Sequence, residues 1–484
     1  MFFTKNIQED SFITWRVAGN LVDYGVIGFN GNERISASTT HLYVFITAFF
    51  RLLLGDYFIY PLLIFSAILF ALGSWWFAKI IFPADFMKRS FFVIVLNMVP
   101  PALTASVLGM EYGILFFLYN GLLYFGLFQK KKWAYFIFPV LLVWTRIDAV
   151  IFLGIIFLAD LILRKKLNVI YILGGLIGLV SVIGFNYWYF GEIVNHTITA
   201  KKIAYKNLIQ NNSLEFFLYQ WAYYGGLIKK YGLFTFLIFL AFLSFLAFIT
   251  IKIFKREKED SREIKIILFA VLIFALVKIT VFAYFKAYFD WYYWIPRVFM
   301  FAILLYYFLE IARIKKKVLL PLLFLVIGAS SVFQWTQSYT IGYMEERQRM
   351  KIAADLINDK AGLEHSILLE PAGIIPFYTK LYTYDEVGLV NKRINEEMVK
   401  DEKYWWINSV NRFHPDYILT IGKKAGEAGI YAIKPENTAD FKAKYELVKT
   451  YPIATIHKQA PGLLKWIYQI RPIGKDYFLY KIIK

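Results

Sequence analysis

His41–Gly55 reads HLYVFITAFFRLLLG, and how it is read decides the fold. The stretch is apolar, yet shorter than the roughly 20 residues a membrane-spanning helix needs. It also carries Arg51. If it spanned, every later loop would change sides and the lysine clusters would all face outward. Read instead as an interfacial or re-entrant helix, it leaves the clusters Lys88-Arg89, Lys130 to Lys132, Arg164 to Lys166, Lys252 to Lys265 and Lys315 to Lys317 on the cytoplasmic side. That is where positive charge belongs.

The rest of the chain supplies the spans. Of 484 residues 59% are hydrophobic, against about 45–50% in a soluble domain. Apolar runs are expected to cross the membrane at about 57–81, 91–108, 112–128, 134–146, 148–162, 169–190, 232–253, 266–284, 298–313 and 318–334. The two runs flanking Arg146 are short, which suits a hairpin lined by protein rather than lipid. The expected fold is therefore mainly α, a polytopic transmembrane helical body of about ten spans over residues 57–334. Residues 1–56 form an extracytoplasmic loop with the interfacial helix. Met1-Phe2-Phe3 does not open a signal peptide; either the short tail is translocated unaided or, as a long outer loop anchored on both sides would need, an N-terminal span precedes it. From about 335 the composition turns charged. An amphipathic run (EERQRMKIAADLIND, Glu345–Asp359) and β-like runs (HSILLEP, PDYILTI, DYFLYKI) predict a small extracytoplasmic α/β domain over 335–484.

Charge and motif content narrow the function. The net charge of +19 lies in short juxtamembrane clusters, which fits anionic lipid better than nucleic acid. There is no cysteine, hence no disulfide or thiol chemistry. The five histidines are scattered without zinc-ligand spacing, and no nucleotide-binding glycine loop is present. Two outer loops nevertheless carry cations against the topology rule. One holds Lys201, Lys202 and Lys206, the other Lys286, Asp290 and Arg297. They either snorkel to headgroups or hold an anionic ligand such as a lipid-linked phosphate. The Tyr and Trp around them suit an aromatic belt or stacking on sugar rings. Glu9 and Asp10, followed by Arg16 and the run GVIGFNGNER, suit either a helix N-terminus or a reaction site.

Several stretches together resemble one family. EDSFITWRVAGNLVDYGVIGFNGNER (Glu9–Arg34) is similar to the first extracytoplasmic loop of the GT-C glycosyltransferases, in the branch of the mycobacterial terminal arabinofuranosyltransferases. GMEYGILFF (Gly109–Phe117), TRID (Thr145–Asp148), YFGEIVNHTITAKK (Tyr189–Lys202) and FDWYYWIPR (Phe289–Arg297) resemble further motifs in family order. EPAGIIPFY, YDEVGLVN and HPDYIL resemble its soluble tail. The chain departs from the family at Glu9, where Asp is usual, at Ile147, where Pro is usual, and at Thr40-His41-Leu42, where Ser-Pro-Leu is usual.

The resemblance implies a transferase that takes a sugar from a polyprenyl-phosphate donor and passes it to a glycan or lipid acceptor, with inversion. The implied place is the extracytoplasmic side of a bacterial inner membrane. A carboxylate must take the acceptor's proton, with Asp10 the candidate and Glu9 or Glu111 assisting. Lys201, Lys202 and Arg297 would meet the lipid phosphate. Arg16, Glu33, Asp290, Trp291 and Arg146 complete the implied substrate contacts. For Arg16 and Glu33 the alternative is holding the loop in shape, and for Arg146 with Asp148 a buried structural pair. Lys278, inside a span, has no role in this scheme. No cofactor is implied, and the need for a divalent metal stays open. A transporter or flippase for a lipid-linked saccharide, or a non-catalytic assembly subunit, would share the spans and cations.

Because the chain lacks cysteine, topology is directly testable. A cysteine replacing Lys131 should react with an impermeant thiol reagent from the cytoplasmic side alone, and one replacing Asn358 from the opposite side alone. Reaction of both from one side would refute the arrangement.

Overall fold

The computed structural model describes residues 4–31, 33–206, 244, 251, 262–285, 289–312, 316–359, 362, 364–422, 439–470 and 472–483. Most of the expected 232–253 span, most of the basic cluster from Lys252, and Lys286 lie outside these residues. The chain forms two compact units. Residues 1–62, 183–210 and 334–484 make the first, and 63–182 with 211–333 the second.

In the first unit, the stretch expected as a loop opens with a helix, Glu9–Tyr24. Its signals are local. Glu9 and Asp10 lie in the first turn, where the helix dipole favours acids. Gly25 ends it in the left-handed conformation at φ 68°. Between them Ile13, Val17 and Ala18 repeat at helical spacing and enter a core with Phe29, Val44, Ala48, Phe190, Ala372 and Val390. His41–Leu54 follows as a helix of 14 residues, and it stops at Gly55 before the Ile59–Ile81 helix begins. Its His41, Tyr43, Val44, Thr47 and Ala48 are buried, while Phe49, Leu52 and Leu53 are exposed.

The C-terminal part is a five-stranded sheet in the order β2-β1-β3-β5-β4. β1 (Ser366–Leu369), β2 (Tyr382–Asp385) and β3 (Tyr417–Ile421) run parallel. β4 (Tyr445–Tyr451) and β5 (Tyr477–Ile482) pair antiparallel, and β5 runs antiparallel to β3. The apolar runs SILL and YILTI are central because both their faces are covered. Ile367, Leu369 and Leu419 meet Ile352 and Leu356 on one face. Leu368 and Ile418 meet Trp405, Trp406, Val410 and Phe441 on the other. This is the alternation a strand imposes.

The second unit is helical. Tyr119, Phe152, Phe274 and Phe299 pack as rings with centroids 4.2 Å (119–152), 4.9 Å (152–274) and 6.0 Å (274–299) apart. They join the helices Tyr112–Gly121, Val150–Arg164, Arg262–Tyr284 and Trp294–Ala312. Among the described residues four helical stretches are long and apolar enough to cross a membrane, at 41–81, 169–190, 262–284 and 291–309. The structure divides other expected spans. Residues 91–108 break into Phe86–Met98 and Pro100–Val107, because Pro100 has no N–H to continue the first helix and suits the start of a second. Residues 112–128 pass from α-helix into a π-helical turn at Leu122. The helix Lys316–Asn358 runs without a break past residue 335.

One ion cluster joins this long helix to the N-terminus. Arg349 Nη1 donates to Glu9 Oε2 at 2.7 Å and to Glu345 Oε1 at 3.2 Å. Burial, opposed by Arg349 and helped by Glu9, lifts Glu345 to about 7. The unfolded chain releases that proton from about pH 4.5, whereas the folded chain keeps it to about 7. Stability therefore falls as pH rises through this window. Glu345→Gln removes the titration. Its thermal midpoint relative to the parent should climb between pH 4.5 and 7 and stay highest above 7; a constant offset across that range would refute the assignment.

Candidate functional site: two networks of charged side chains

The first network lies in the first unit and ties the N-terminal helix to the sheet domain. Glu9 Oε1 accepts from the backbone N–H of Gly373 (3.0 Å) and Ile374 (2.8 Å), so it caps the Ile374–Thr379 helix from outside. Position 373 must be glycine, because a Cβ there would stand 2.3 Å from the Glu9 carbonyl oxygen. Both Glu9 oxygens are thus engaged in structure. Arg16 is buried two helical turns further, on the ring of Phe29. It donates to the carbonyl oxygens of Phe29 (2.9 Å), Pro376 (2.8 Å) and Leu381 (2.8 Å). Burial draws its pKa down to about 9, which leaves it charged at neutral pH.

The GVIGFNGNER turn completes this network. Asn30 exchanges two bonds with the backbone of Thr383, as a further strand would. Glu33 accepts from the Tyr382 hydroxyl. A Cβ on Gly28 would collide with the Glu33 carbonyl at 1.8 Å, so the tight turn needs glycine there. The Asn-His-Thr loop joins in from its own side. Asn195 Nδ2 donates to Ser36 Oγ at 2.8 Å, and His196 Nε2 bonds the Gly388 carbonyl at 2.9 Å. The Arg16 and Glu33 side chains thus lie in contacts that shape this loop.

The predicted reaction residues of this unit sit around that frame. Asp10 is half-buried in the first turn of its helix. Lys201 and Lys202 lie in the last turn of His196–Ala204, the first half-buried and the second exposed. That helix packs on Lys392–Lys400, whereas the Asp10 helix packs on Ile374–Thr379.

The second network lies in the helical unit. Arg146 Nη1 donates to Glu111 Oε1 at 2.6 Å, and its Nε to Asp148 Oδ1 at 2.7 Å. Lys278 Nζ stands 2.9 Å from Asp148 Oδ2. Two acids and two bases therefore sum to zero, which is what burial of charge requires. Lys278 enters from the middle of its helix and has its charge answered by Asp148. The side chains are 1% (Lys278), 3% (Glu111), 9% (Arg146) and 16% (Asp148) exposed, so Asp148 is the member most open to its surroundings. The hydroxyls of Tyr112 and Tyr119 are buried nearby, with no hydrogen-bond partner among the described residues. The Arg146 guanidinium lies over the rings of Tyr112 (5.8 Å) and Tyr292 (5.5 Å).

Tyr292 belongs to the turn Asp290–Tyr293. Asp290 opens this turn. Trp291 in it is half-buried and stacks on Phe289 at 4.4 Å. Arg297, in the first turn of the next helix, is half-buried with its guanidinium over Tyr293 at 5.8 Å. Three separated motifs, GMEYG, TRID and FDWYYWIPR, thus meet around Arg146. The sequence named Glu111 and Arg146 but gave Lys278 no partner, and it missed Tyr112, Tyr119 and Tyr292, which are indistinguishable by type from belt aromatics. Among the described residues no group of three or more His, Asp or Glu is placed to hold a metal ion.

Lys278→Met should strip Asp148 of one of its two cations. Stability should drop by about 3 kcal/mol, the lower end for a broken buried pair, because Asp148 is partly open. Adding Asp148→Asn should recover most of the loss. Thermal unfolding of the single and double variants reads both, and an unchanged midpoint for Lys278→Met would show the pair to be dispensable.

Residues 338–480 match a family described as Domain of unknown function (DUF8728). The match spans the sheet domain and the end of the long helix leading into it. No curated protein matches the chain.

Proposed function

We propose that this chain is an integral membrane glycosyltransferase. It moves a sugar from a polyprenyl-phosphate donor to an extracytoplasmic glycan or lipid acceptor, at the outer face of a bacterial inner membrane. The observation that carries the reading is the gathering of the family-like motifs. Stretches far apart in sequence meet in two networks, one around Arg16 and one around Arg146. This gathering supports the reading that the stretches act together.

The chemistry assigned to these residues is one displacement. The acceptor oxygen attacks the anomeric carbon, the bond from that carbon to the phosphate oxygen breaks, and Asp10 takes the hydroxyl proton. Asp10 is the assigned base, whereas Glu9, whose two oxygens are held by Arg349 and two backbone N–H groups, has a structural part. Glu111 is likewise paired with Arg146. The departing lipid phosphate carries the negative charge away, and Lys201, Lys202 and Arg297 are the cations assigned to meet it. Attack opposite the leaving group inverts the anomeric centre. Trp291, beside Asp290, offers an aromatic face to a sugar ring.

The test is release of free lipid phosphate from a panel of polyprenyl-phospho-sugars by the purified protein with glycan and lipid acceptors. Asp10→Asn should slow transfer by about 10²–10⁴-fold while the protein still unfolds in one cooperative transition. Lys201→Ala should raise the donor KM. Full activity in Asp10→Asn would overturn the assignment of the base. No release from any donor, together with movement of donor across vesicles, would replace transfer by transport.

A further inference from the structure

The helix Gly462–Ile470 reads GLLKWIYQI, and apart from Gly462, Lys465 and Gln469 it is apolar. Such a helix needs cover on nearly every side. Its inner stripe has it. Leu464 and Tyr468 are buried and pack with Ala460, Ile467, Tyr339 and Tyr343. The Tyr468 hydroxyl donates to the Thr340 carbonyl at 2.6 Å, which pins the helix against the long Lys316–Asn358 helix.

The second stripe has no such cover within the chain's described residues. Leu463, Trp466 and Ile470, spaced three and four apart, are 56%, 59% and 64% exposed. Single exposed apolar residues are ordinary on any protein surface. Three on one stripe with a tryptophan in the middle are not, and they mark an interaction site.

Three observations select the partner. Thr340, where the helix is pinned, lies five residues past Trp335, just beyond the apolar run at 318–334. Half-exposed Trp335 stacks on Tyr339 at 5.5 Å, so aromatic rings line this part of the long helix as they line a membrane boundary. Lys465 is exposed on the helix, and Lys458 is exposed just before it. A short helix with Leu, Trp and Ile on one side and lysine on the other suits the headgroup layer, where the rings and alkyl chains enter the acyl boundary and the ammonium groups meet phosphates.

We propose that the Gly462–Ile470 helix is a membrane-docking element, which lays Leu463, Trp466 and Ile470 into the lipid surface beside the emerging long helix. It does not depend on the glycosyltransferase reading. It gives the C-terminal domain a second attachment to the bilayer, independent of the chain connection.

The test uses the full chain, reconstituted in vesicles of phosphatidylcholine and phosphatidylglycerol. The absence of native cysteine permits single labels. A bimane fluorophore is placed at Leu463→Cys, at Ile470→Cys, and at the half-exposed Val448→Cys on β4, outside the helix. Labels at 463 and 470 should be quenched by doxyl-lipid and shielded from iodide, several-fold in each case relative to 448. Trp466→Asp, a change at an exposed position, should restore iodide access at 463 with the thermal midpoint unchanged. Iodide quenching at 463 and 470 equal to that at 448 would overturn the proposal. So would shielding from both quenchers, which would assign the face to a protein partner or a second copy.

Discussion

The buried guanidinium of Arg16 is the constraint on which the first unit depends. A charged group removed from water must recover its hydrogen bonds, and a planar fork of five donors demands several acceptors in fixed directions. Here they are carbonyl oxygens at Phe29, Pro376 and Leu381. The Phe29 and Leu381 carbonyls lie in loops, and the Pro376 carbonyl, which also accepts from the Lys380 N–H, lies in a short helix. Arg16 therefore fixes three points of the backbone at once. The Glu9 carboxylate does the complementary task two turns earlier, meeting donors rather than acceptors. Together they turn an N-terminal segment into part of the C-terminal domain's core.

The helical unit solves the same problem by a different route. Arg146 and Lys278 are balanced by Glu111 and Asp148, so no member is left as a bare charge among apolar helices. Breaking any one pair leaves its partner worse off than if both had been apolar. The network is thus a means of specifying which helices meet, and at what height. It draws together the start of one helix, the turn between two others and the middle of a fourth. The two tyrosine hydroxyls beside it have no hydrogen-bond partner among the described residues.

Much of this was legible in the sequence, and the losses have physical causes. The runs HSILLEP, PDYILTI and DYFLYKI became β1, β3 and β5, since their β-branched and apolar residues are buried on both faces or pair with strands that are. β2 was missed because YTYD is short and polar in part. β4 was missed because five of its seven residues are exposed at an edge, where no hydrophobic pattern is imposed. The helix at Glu9–Tyr24 was hidden by the glycine-rich run that follows it, although Gly25 is the very residue that ends it. Charge parity in sequence says nothing of pairing across a bundle, so Lys278 stood alone until Asp148 was seen beside it. Arg16 could be suspected of shaping its loop, but its acceptors are main-chain atoms, which sequence does not distinguish.

The wiring of the first unit also sets a clock. The Arg16 guanidinium and the Pro376 carbonyl it binds are 360 residues apart along the chain. At about 5–20 residues per second, a ribosome takes roughly 20–70 s to travel between them. For that interval the Glu9–Tyr24 segment lacks the Pro376 and Leu381 acceptors of Arg16 and the apolar cover of Ala372 and Val390. Whatever shields it meanwhile, lipid surface or chaperone, must also let it go once Pro376 and Leu381 have been made. Slow elongation should therefore lengthen exposure of the N-terminal segment to proteases.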